Sequence, residues 1–560
     1  MIPGQTDADP QDAPRLDGRP DGAAGGRPAG PLRLRSALPL ALAAGLLLFA
    51  AFPPVGVWPL AVVSPALLIV ALSGRSLRAS FTVGLIFGTA FFLPLLAWVM
   101  NLAWFAWVAL AVASAVIFAV FTIAQRLLLN LRGWPLAVAG WWVAAESFRD
   151  RWPWGGFPWG RLAMSQAGLP TQGWAAIGGP PLLTLVVALM AATLGWFLLT
   201  LLSPERRRPG GRLIAVPGLT FAVTVGLACV PAALPLDPVP ASARTAVVAA
   251  IQGNVPRARS LTGQLDNDAV VTQNHVTATE KLAAKVAAGT LPAPDLVIWP
   301  ENSTDIDPML YPPTFAQITT AVTAIDRPIL VGAVLQNPQL NAGVLWLPGK
   351  GPTTTYAKRQ LVPFGEFLPF RGLISKVTSL TALLPTDFVP GHKTVVFDVG
   401  RIRLGDVICY EVAFDDLVRS EVSAGANLLS VQSNDATFER DSLAGVSGET
   451  SQQLAMARIR AVEFDRAVVV ASTTGYSAII APDGRVLLRS GIWQQAELEA
   501  RVPLLTYTTL AERAGAWPEW AIVALTGLAL VLAAAQAVRR RTAATPGIPS
   551  SPGTEDPVGR

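Results

Sequence analysis

Cysteine and histidine are almost absent from this 560-residue sequence, which contains only Cys229, Cys409, His275 and His392. Two cysteines cannot form a disulfide framework or a zinc cluster, and two histidines argue against a histidine-based metal site. We therefore expect neither a metal nor a cofactor. Charged residues are also scarce: they make up 14% of the chain, whereas a soluble globular protein carries about 25%. This scarcity argues against a wholly soluble protein, and wholesale disorder is excluded because it requires many charges and few apolar residues.

The net charge is small, because 43 Lys and Arg residues exceed 38 Asp and Glu residues by only five. No long basic patch interrupts the sequence, so a nucleic-acid partner is not indicated. Hydrophobic residues make up 52% of the chain, and the mean hydropathy is +0.45. These values favour a protein that lies partly in a membrane.

Apolar segments follow one another from residue 37 onward and return once near the C-terminus. A helix needs about 20 residues, with roughly 17 as a lower limit, to cross the hydrocarbon core of a bilayer. Several segments meet this length, and the fifth, with Glu146 at its end, is short. We predict an α-helical polytopic membrane domain of about eight spans. They are residues 37–52, 56–73, 79–99, 103–122, 134–148, 178–202, 212–234 and 519–538.

Basic residues are concentrated in alternate connections between these spans, and loops 53–55 and 100–102 carry none. Lys- and Arg-rich loops stay in the cytoplasm, so both termini are predicted to be cytoplasmic and the domain between the last two spans to be extracytoplasmic. The loop after the fifth span departs mildly from this rule. The basic residues on the predicted cytoplasmic side are Arg33, Arg35, Arg75, Arg78, Arg126, Arg132, Arg206, Arg207, Arg208, Arg212, Arg539, Arg540 and Arg541.

The predicted domain organisation follows these composition changes. Residues 1–35 are rich in Pro, Gly, Ala and Asp without an apolar period, which indicates a disordered tail. We expect seven spans in 36–235, an α/β domain in 236–515, the last span in 516–541 and a second disordered tail in 542–560.

Short β-branched runs alternate with helical patterns in residues 236–515, which indicates an α/β domain. The predicted strands are Thr245–Ile251, Asp295–Trp299, Pro328–Leu335, Thr394–Val399, Ile402–Ile408, Asn427–Val431 and Ala467–Ser472. The predicted helices lie near residues 265–288, 314–325, 413–423 and 452–465.

Three residues of this domain are candidates for chemistry. Cys409 ends a β-like run, where α/β folds place reactive groups, although a free cysteine is commonly a small buried apolar residue. Glu301 follows another such run and is either a helix cap or a general base. Lys358 lies beside an apolar, turn-rich segment. If it were buried near a thiol, its ammonium would lower the thiol pKa and stabilise an oxyanion.

The order of these residues resembles the Glu-Lys-Cys triad of the nitrilase, or carbon–nitrogen hydrolase, superfamily. Glu301 follows Val-Ile-Trp-Pro, Lys358 precedes Arg-Gln-Leu-Val-Pro-Phe-Gly-Glu, and Cys409 precedes Tyr-Glu. Three further stretches agree with this resemblance: Ile251-Gln-Gly-Asn254, Ser433-Asn-Asp-Ala436 and the segment from Gln453 to Glu463. Together with the eight spans, the sequence is similar to the apolipoprotein N-acyltransferase family over about residues 37–540.

The resemblance implies an α-β-β-α sandwich and a two-step acyl transfer in a bacterial inner membrane, the last step of lipoprotein maturation. Cys409, activated by Glu301, would take an acyl chain from a phospholipid, usually phosphatidylethanolamine at sn-1, and a diacylglyceryl-cysteine lipoprotein would accept it. Lys358 and backbone N–H groups near Tyr410 would hold the oxyanion. Glu366, Tyr410 and Glu411 would support the site, and a monomer is expected.

Two positions depart from the family pattern. No tryptophan follows Asn254-Val-Pro-Arg, where Leu261 stands nearby, and Thr437 follows Asn-Asp-Ala where an aromatic residue is common. Both positions lie where the family contacts lipid, so they bear on donor preference.

The segment Phe364–Phe388 is rich in aromatic and aliphatic residues, among them Phe364, Phe367 and Phe370. It either fills the domain core or rests on the lipid surface and admits lipid to the site. The same composition leaves other functions open. A membrane-bound amidase would use the triad with water as acceptor, and a silent scaffold would not need all three residues. A transporter is disfavoured because the spans contain almost no charged residues.

Overall fold

The computed structural model describes residues 31–203, 212–233, 239–256, 264–372, 386–439 and 448–543. Most of both predicted tails, and Leu261, lie outside the described residues. Helix α1 begins at Leu34, slightly before the first predicted span. The helices of the first part of the chain are α1 (Leu34–Ala51), α2 (Leu60–Leu72), α3 (Leu77–Leu95), α4 (Trp104–Leu128), α5 (Trp134–Arg149), α6 (Trp174–Leu202), α7 (Arg212–Ala228) and α8 (Val230–Ala233).

These helices are built from apolar residues and pack through small side chains. Gly84 of α3, for example, leaves room for Thr122 of α4, because a Cβ there would lie 2.1 Å from Thr122 Oγ1. Helix α6 is interrupted at Gly178 and Gly179, and Gly179 has a φ of 72° that suits glycine. The helix therefore bends where the predicted sixth span begins. Short 3₁₀ helices, Ala97–Asn101 and Leu162–Gln166, stand in two of the connections.

Two six-stranded sheets form the second part of the chain. The first has the order β12-β1-β2-β3-β4-β5 and the second the order β11-β10-β9-β8-β7-β6. Strands β1, β2 and β3 are parallel neighbours, as are β7, β8 and β9, and the other pairs are antiparallel. The strands are β1 (Thr245–Gln252), β2 (Leu296–Ile298), β3 (Ile329–Leu335), β4 (Leu340–Leu347), β5 (Gly351–Ala357), β6 (Val396–Val399), β7 (Ile402–Ile408), β8 (Leu428–Ser433), β9 (Val468–Ser472), β10 (Ala478–Ile480), β11 (Val486–Arg489) and β12 (Ala496–Pro503).

Helices cover the outer faces of both sheets. They are α9 (Gln264–Ala287), α10 (Pro312–Ile325), α11 (Asp415–Ser423) and α12 (Glu449–Phe464). The short helix α13 (Leu510–Ala514) packs on α6, and α14 (Trp517–Ala543) follows it. Buried Val248, Leu330, Ile408 and Val469 belong to one apolar core between the sheets. The layers are thus α-β-β-α, as the resemblance implied.

The second sheet and its helix α12 pack directly on the membrane helices. Met456 and Ile459 of α12 share one apolar core with Leu183 and Met190 of α6. Because this core is continuous, the end of the second sheet is held against the membrane helices.

Among the described residues, five helices are long and apolar enough to cross a membrane: Leu34–Ala51, Leu77–Leu95, Trp104–Leu128, Trp174–Leu202 and Trp517–Arg540. Helices α2 and α7 are apolar but shorter, and α5 has 16 residues. A helix therefore stands at each of the eight predicted spans, and five of the eight reach the length and hydropathy of a full crossing.

Five strands were not predicted: β4, β5, β10, β11 and β12. Strand β4 contains asparagine and glycine, β5 contains glycine, proline and three threonines, and β12 alternates charged and apolar residues. Strand β12 is an edge strand whose whole length pairs with β1. Its partner, rather than its own composition, makes it a strand.

Candidate active site

The three candidate residues lie at strand ends that the two sheets bring together. Glu301 follows β2 in the first sheet, Lys358 directly follows β5, and Cys409 directly follows β7 in the second sheet. Parallel strands present their carboxyl ends at one edge, where α/β folds collect reactive groups. All three side chains are nearly buried, with 5%, 1% and 8% of their surface exposed.

Lys358 is held between two carboxylates. Its Nζ lies 3.0 Å from Glu301 Oε1 and 3.0 Å from Glu366 Oε1. The structure therefore places the supporting residue Glu366 beside the predicted triad. Two carboxylates sharing one buried ammonium form a compact charged group next to the thiol.

Asn341 completes this group, although no sequence pattern indicated it. Its Nδ2 donates to Glu301 Oε1 at 2.6 Å and to Glu366 Oε1 at 2.7 Å. It lies on β4, one of the strands that was not predicted, so no signal placed its amide near Glu301. The hydrogen bonds hold the two carboxylates at fixed positions despite their mutual repulsion.

Backbone N–H groups hold the other oxygen of each carboxylate. Asn434 N donates to Glu301 Oε2 at 2.9 Å, and Val362 N donates to Glu366 Oε2 at 2.8 Å. Asn434 belongs to the Ser-Asn-Asp-Ala stretch that the resemblance singled out. Both carboxylates are thus oriented by bonds to each oxygen.

Cys409 begins a short 3₁₀ helix, Cys409–Ala413, with a φ of +54°. Such a conformation is uncommon for a residue with a side chain, and it is typical of functional turns. Gln453 Nε2 lies 3.6 Å from Cys409 Sγ and donates to it. Gln453 belongs to the third stretch of the resemblance, but the sequence did not indicate this contact.

Glu411 links the turn of Cys409 to the segment after Lys358, because its carboxylate accepts hydrogen bonds from four donors. Its donors are Tyr356 Oη at 2.8 Å, Arg359 N at 2.7 Å, Gln360 N at 3.0 Å and Ile408 N at 2.8 Å. Glu411 therefore fixes the backbone on both sides of the site.

Tyr410 points from the same turn toward the membrane helices. Its hydroxyl donates to the carbonyl oxygen of Gly156 at 2.9 Å, and its ring stacks with Phe157 and Trp159 at centroid distances of 6.3 and 6.4 Å. The Trp-rich loop after α5 thus contacts the residue next to the candidate nucleophile.

Burial raises the pKa of the Cys409 thiol well above its usual value, the negative charge of Glu301 raises it further, and Lys358 opposes both effects. Lys358 does lower the thiol pKa, as expected, but its effect is smaller than the combined effect of burial and Glu301, so the pKa of Cys409 is raised overall. Desolvation of the thiolate at this buried sulfur costs more free energy than the attraction of the Lys358 ammonium restores. The thiol stays neutral and needs a base when it reacts.

The same burial acts on the two partners of the thiol. Burial raises the pKa of Glu301, against the effect of Lys358, and the charge of Glu366 raises it further. Burial alone would lower the pKa of Lys358, but Glu301 and Glu366 raise it well above its usual value. Lys358 therefore remains a cation, and Glu301 is a stronger base than an exposed carboxylate.

The aromatic residues after Lys358 are largely outside the core. Phe364 is 44% exposed and Phe370 is 69% exposed, whereas Phe367 is half-buried. The ring of Trp154, in the loop after α5, lies 5.8 Å from Phe364 and 6.2 Å from Phe370. Residues 373–385 of the proposed lipid-access segment lie outside the described residues.

Thr437 lies in the segment after β8, next to Phe438. The Phe438 ring packs edge-on against Trp98 at 5.0 Å, and its carbonyl oxygen accepts a bond from Asn101 Nδ2 at 2.6 Å. Phe438 therefore provides an aromatic side chain one residue after position 437, where an aromatic residue is common in the family. Within the described ranges, no group of three or more His, Cys, Asp or Glu side chains could hold a metal ion.

Comparisons with known proteins cover both parts of the chain. Residues 44–193 match the model of the apolipoprotein N-acyltransferase N-terminal domain, and residues 247–518 match that of carbon-nitrogen hydrolases. An apolipoprotein N-acyltransferase of Mycolicibacterium smegmatis is 38% identical over 534 residues, covering 90% of this chain and 87% of that protein. One of Azotobacter vinelandii is 31% identical over 528 residues, covering 89% and 94%. Among solved structures, an amidase from Nesterenkonia sp. is 19% identical with a TM-score of 0.35, covering 51% of this chain and 99% of that one.

Proposed function

The chain belongs to the apolipoprotein N-acyltransferase family, and from this premise we propose how it N-acylates lipoproteins. The proposed reaction moves an acyl chain from a membrane phospholipid to the N-terminal amine of an S-diacylglyceryl-cysteine. The observation that carries the proposal is the buried group formed by Lys358, Glu301 and Glu366 at the turn of Cys409.

In the first step, Cys409 Sγ attacks the ester carbonyl of the phospholipid while Glu301 takes the thiol proton. General base catalysis suits a neutral thiol, because the proton leaves as the new bond forms. Lys358 and backbone N–H groups near Tyr410 stabilise the negative oxygen of the tetrahedral intermediate. The intermediate then releases the lysophospholipid alcohol, which receives its proton from Glu301, and a thioester remains on Cys409.

In the second step, the α-amine of the lipoprotein attacks the thioester carbonyl. Glu301 accepts a proton from the attacking amine and passes it to the departing sulfur of Cys409 as the C–S bond breaks. An amide forms, and the thiol and the carboxylate both return to their starting states. Glu366 holds Lys358 in both steps through the 3.0 Å contact with its ammonium. This order of events is ping-pong, since the first product departs before the second substrate reacts.

The proposed donor is phosphatidylethanolamine, attacked at sn-1, and the enzyme acts as a monomer. Support for access from the bilayer comes from the contacts between the site and the loop after α5, through Tyr410 and through Phe364 and Phe370. An ester in the membrane has to approach Cys409 across this boundary. An acyl chain that approaches Cys409 loses part of its contact with the bilayer. We propose that the exposed aromatic rings replace this contact and keep the apolar surface of the chain from water.

We place the α/β domain on the extracytoplasmic side of the inner membrane, with both termini in the cytoplasm, because of the distribution of arginines around the helices. Glu280 on α9 is exposed. A single cysteine at this position, in a chain without its native cysteines, should react with a membrane-impermeant maleimide on intact cells. Reaction only after cell lysis would invert the topology.

The activity is tested with purified enzyme in vesicles that contain phosphatidylethanolamine with a labelled sn-1 chain. Addition of a synthetic diacylated lipopeptide should give labelled N-acyl lipopeptide in amounts equal to the lysophospholipid formed. A lipopeptide with a blocked α-amine is the matched control and should leave the label on the enzyme. Release of labelled fatty acid at the same rate with either peptide would identify a hydrolase instead, the alternative that uses water as acceptor.

A further inference from the structure

A cavity of about 350 Å³ lies on the side of helix α12 that faces away from Cys409. This volume falls in the range of about 300–1,000 Å³ that small-molecule sites occupy. Ser451, Leu454, Ala455 and Arg458 of α12 line it, at the spacing of one helix face. Gln453, which contacts the thiol, points from the opposite face. The cavity is thus separated from the candidate active site by the width of a helix, about 10 Å.

The opposite wall of the cavity belongs to the membrane helices. Ala51 ends α1, and the turn that follows contributes Pro53 and Trp58. Trp58 is 37% exposed, and its neighbours Val55 and Val57 are 50% and 46% exposed. Exposed apolar and indole side chains at the end of a spanning helix are typical of the membrane–water interface. The cavity therefore opens at the level of lipid head groups.

The charged side chains that line the cavity are all positive. None of the fifteen lining residues is acidic, and two, Arg458 and Arg489, are arginines. Arg458 Nε donates to the carbonyl oxygen of Gly484 at 2.8 Å, and the Arg489 guanidinium lies 4.3 Å from the ring centroid of Tyr476. In the part of the chain that the structure describes, neither guanidinium forms an ion pair with a carboxylate.

The acidic group that acts on Arg458 does not neutralise it. Asp483 acts on Arg458 only at longer range, and its carboxylate is bonded to Arg485 Nε at 2.6 Å. Two unneutralised guanidinium groups beside an apolar wall favour a ligand with both an anionic and an apolar part. Arginine suits phosphate oxygens because its planar fork can donate two parallel hydrogen bonds.

We propose that this cavity is a second lipid site, distinct from the active site, that binds the phosphodiester head group of a membrane glycerophospholipid. The phosphate lies against Arg458 and Arg489, and the acyl chains follow the apolar surface of Ala51, Pro53 and Trp58 into the bilayer. A lipid held here cannot present its ester to Cys409, because α12 stands between them. It would instead attach the α/β domain to the membrane surface through α12.

The test measures lipid binding and does not depend on acyl transfer. Delipidated full-length enzyme carrying Cys409→Ala is titrated with dihexanoyl phosphatidylglycerol below its micelle concentration, and heat of binding is recorded. Arg489→Glu inverts an exposed charge, and Ser451→Trp fills the cavity without changing its charge. Each should weaken one saturable binding event at least tenfold. Arg501→Glu, an exposed inversion on β12, is the matched control and should bind as the parent does.

Three results would overturn the proposal. Equal binding by the parent, Arg489→Glu and Ser451→Trp would show that the cavity holds no lipid. Saturable binding of inorganic phosphate that depends on Arg489 and displaces the lipid would make the site one for free anions. Equal loss in Arg501→Glu would assign the effect to net charge. Thermal unfolding of each variant is measured alongside, and Arg489→Glu, being at the surface, keeps the test valid if Ser451→Trp does not fold.

Discussion

The Tyr410 hydroxyl donates a 2.9 Å hydrogen bond to the carbonyl oxygen of Gly156 and thereby joins the turn of Cys409 to the loop after α5. Gly156 has a φ of +91°, and a Cβ there would lie 2.0 Å from backbone atoms of Asp150. A glycine is therefore required for the loop to reach Tyr410. The residue after Cys409 is positioned by the membrane helices as well as by its own sheet.

We expect Tyr410→Phe to slow formation of the acyl-enzyme about tenfold, because the turn of Cys409 loses one of its anchors. The lost bond should lower the stability by about 1 kcal/mol. Stopped reactions analysed by intact-protein mass spectrometry measure the rate. Tyr311→Phe, at an exposed position, is the control. Equal rates for the two variants would contradict the proposed anchoring role.

Cys409→Ala should abolish both the thioester and the transfer reaction, because the proposed thioester forms on the sulfur of Cys409. Cys229→Ala should leave both nearly unchanged, since Cys229 lies half-buried between α7 and α8. Labelled phospholipid and protein mass spectrometry detect the thioester directly. Transfer by the Cys409→Ala enzyme would end the proposal of a covalent intermediate.

Asn341 provides a graded test of the charged group. Asn341→Leu removes the donor shared by Glu301 and Glu366, and a hydrogen bond to a charged group contributes about 1.5–3 kcal/mol. We therefore expect acylation about 10- to 100-fold slower. Asn341→Asp should be more damaging, because it adds a third carboxylate around Lys358. The idea fails if the aspartate variant acylates as fast as the parent or faster than the leucine variant.

The exposed rings of Phe364 and Phe370 allow the lipid-access proposal to be separated from a structural role. Replacing both with Ser should slow acylation from vesicles about tenfold, while a water-soluble short-chain ester reacts normally and the melting temperature stays nearly constant. Met309→Ser with Leu310→Ser, an exposed apolar pair elsewhere, is the control. A large fall in melting temperature with normal acylation by the folded fraction would assign these rings to the core.

Asp406 predicts a specific pH dependence of stability. Burial raises the pKa of Asp406 to about 8, and the negative charges of Glu411 and Glu301 add to this effect. A hydrogen bond from Ser430 lowers the pKa but does not cancel the increase. Its Oδ2 has no partner among the described atoms. The folded protein therefore binds a proton that the unfolded chain releases near pH 4. This stabilising effect is complete below the unfolded pKa and is lost as the pH rises toward 8.

Asp406→Asn keeps the shape without the charge, so it should remove this dependence. Between pH 5 and 8 the parent should lose about 1.4 kcal/mol per pH unit relative to the variant, and the difference should level off above pH 8. Denaturant unfolding of both proteins at each pH measures it, and groups common to both cancel. Parallel stability profiles would show that Asp406 is ionised in the folded protein.

The sequence by itself determined the class of this protein and predicted which groups react. Spacing of apolar residues depends on local composition, so the membrane segments could be recognised without a structure. Strand β7, predicted as Ile402–Ile408, has the same limits in the structure, because its residues are buried in an internal strand. The order of Glu301, Lys358 and Cys409 and the motifs around them can likewise be recognised along the sequence.

Only the tertiary structure decided how these groups act on one another. Asn341 comes from a strand that its own composition does not specify, and it reaches Glu301 through pairing of β3 with β4. The direction of the Cys409 pKa shift depends on competition between desolvation and the field of Lys358, and neither can be read from spacing. The cavity beside α12 likewise requires segments far apart in sequence to form its walls. Long-range packing sets such distances, and local sequence patterns carry no information about them.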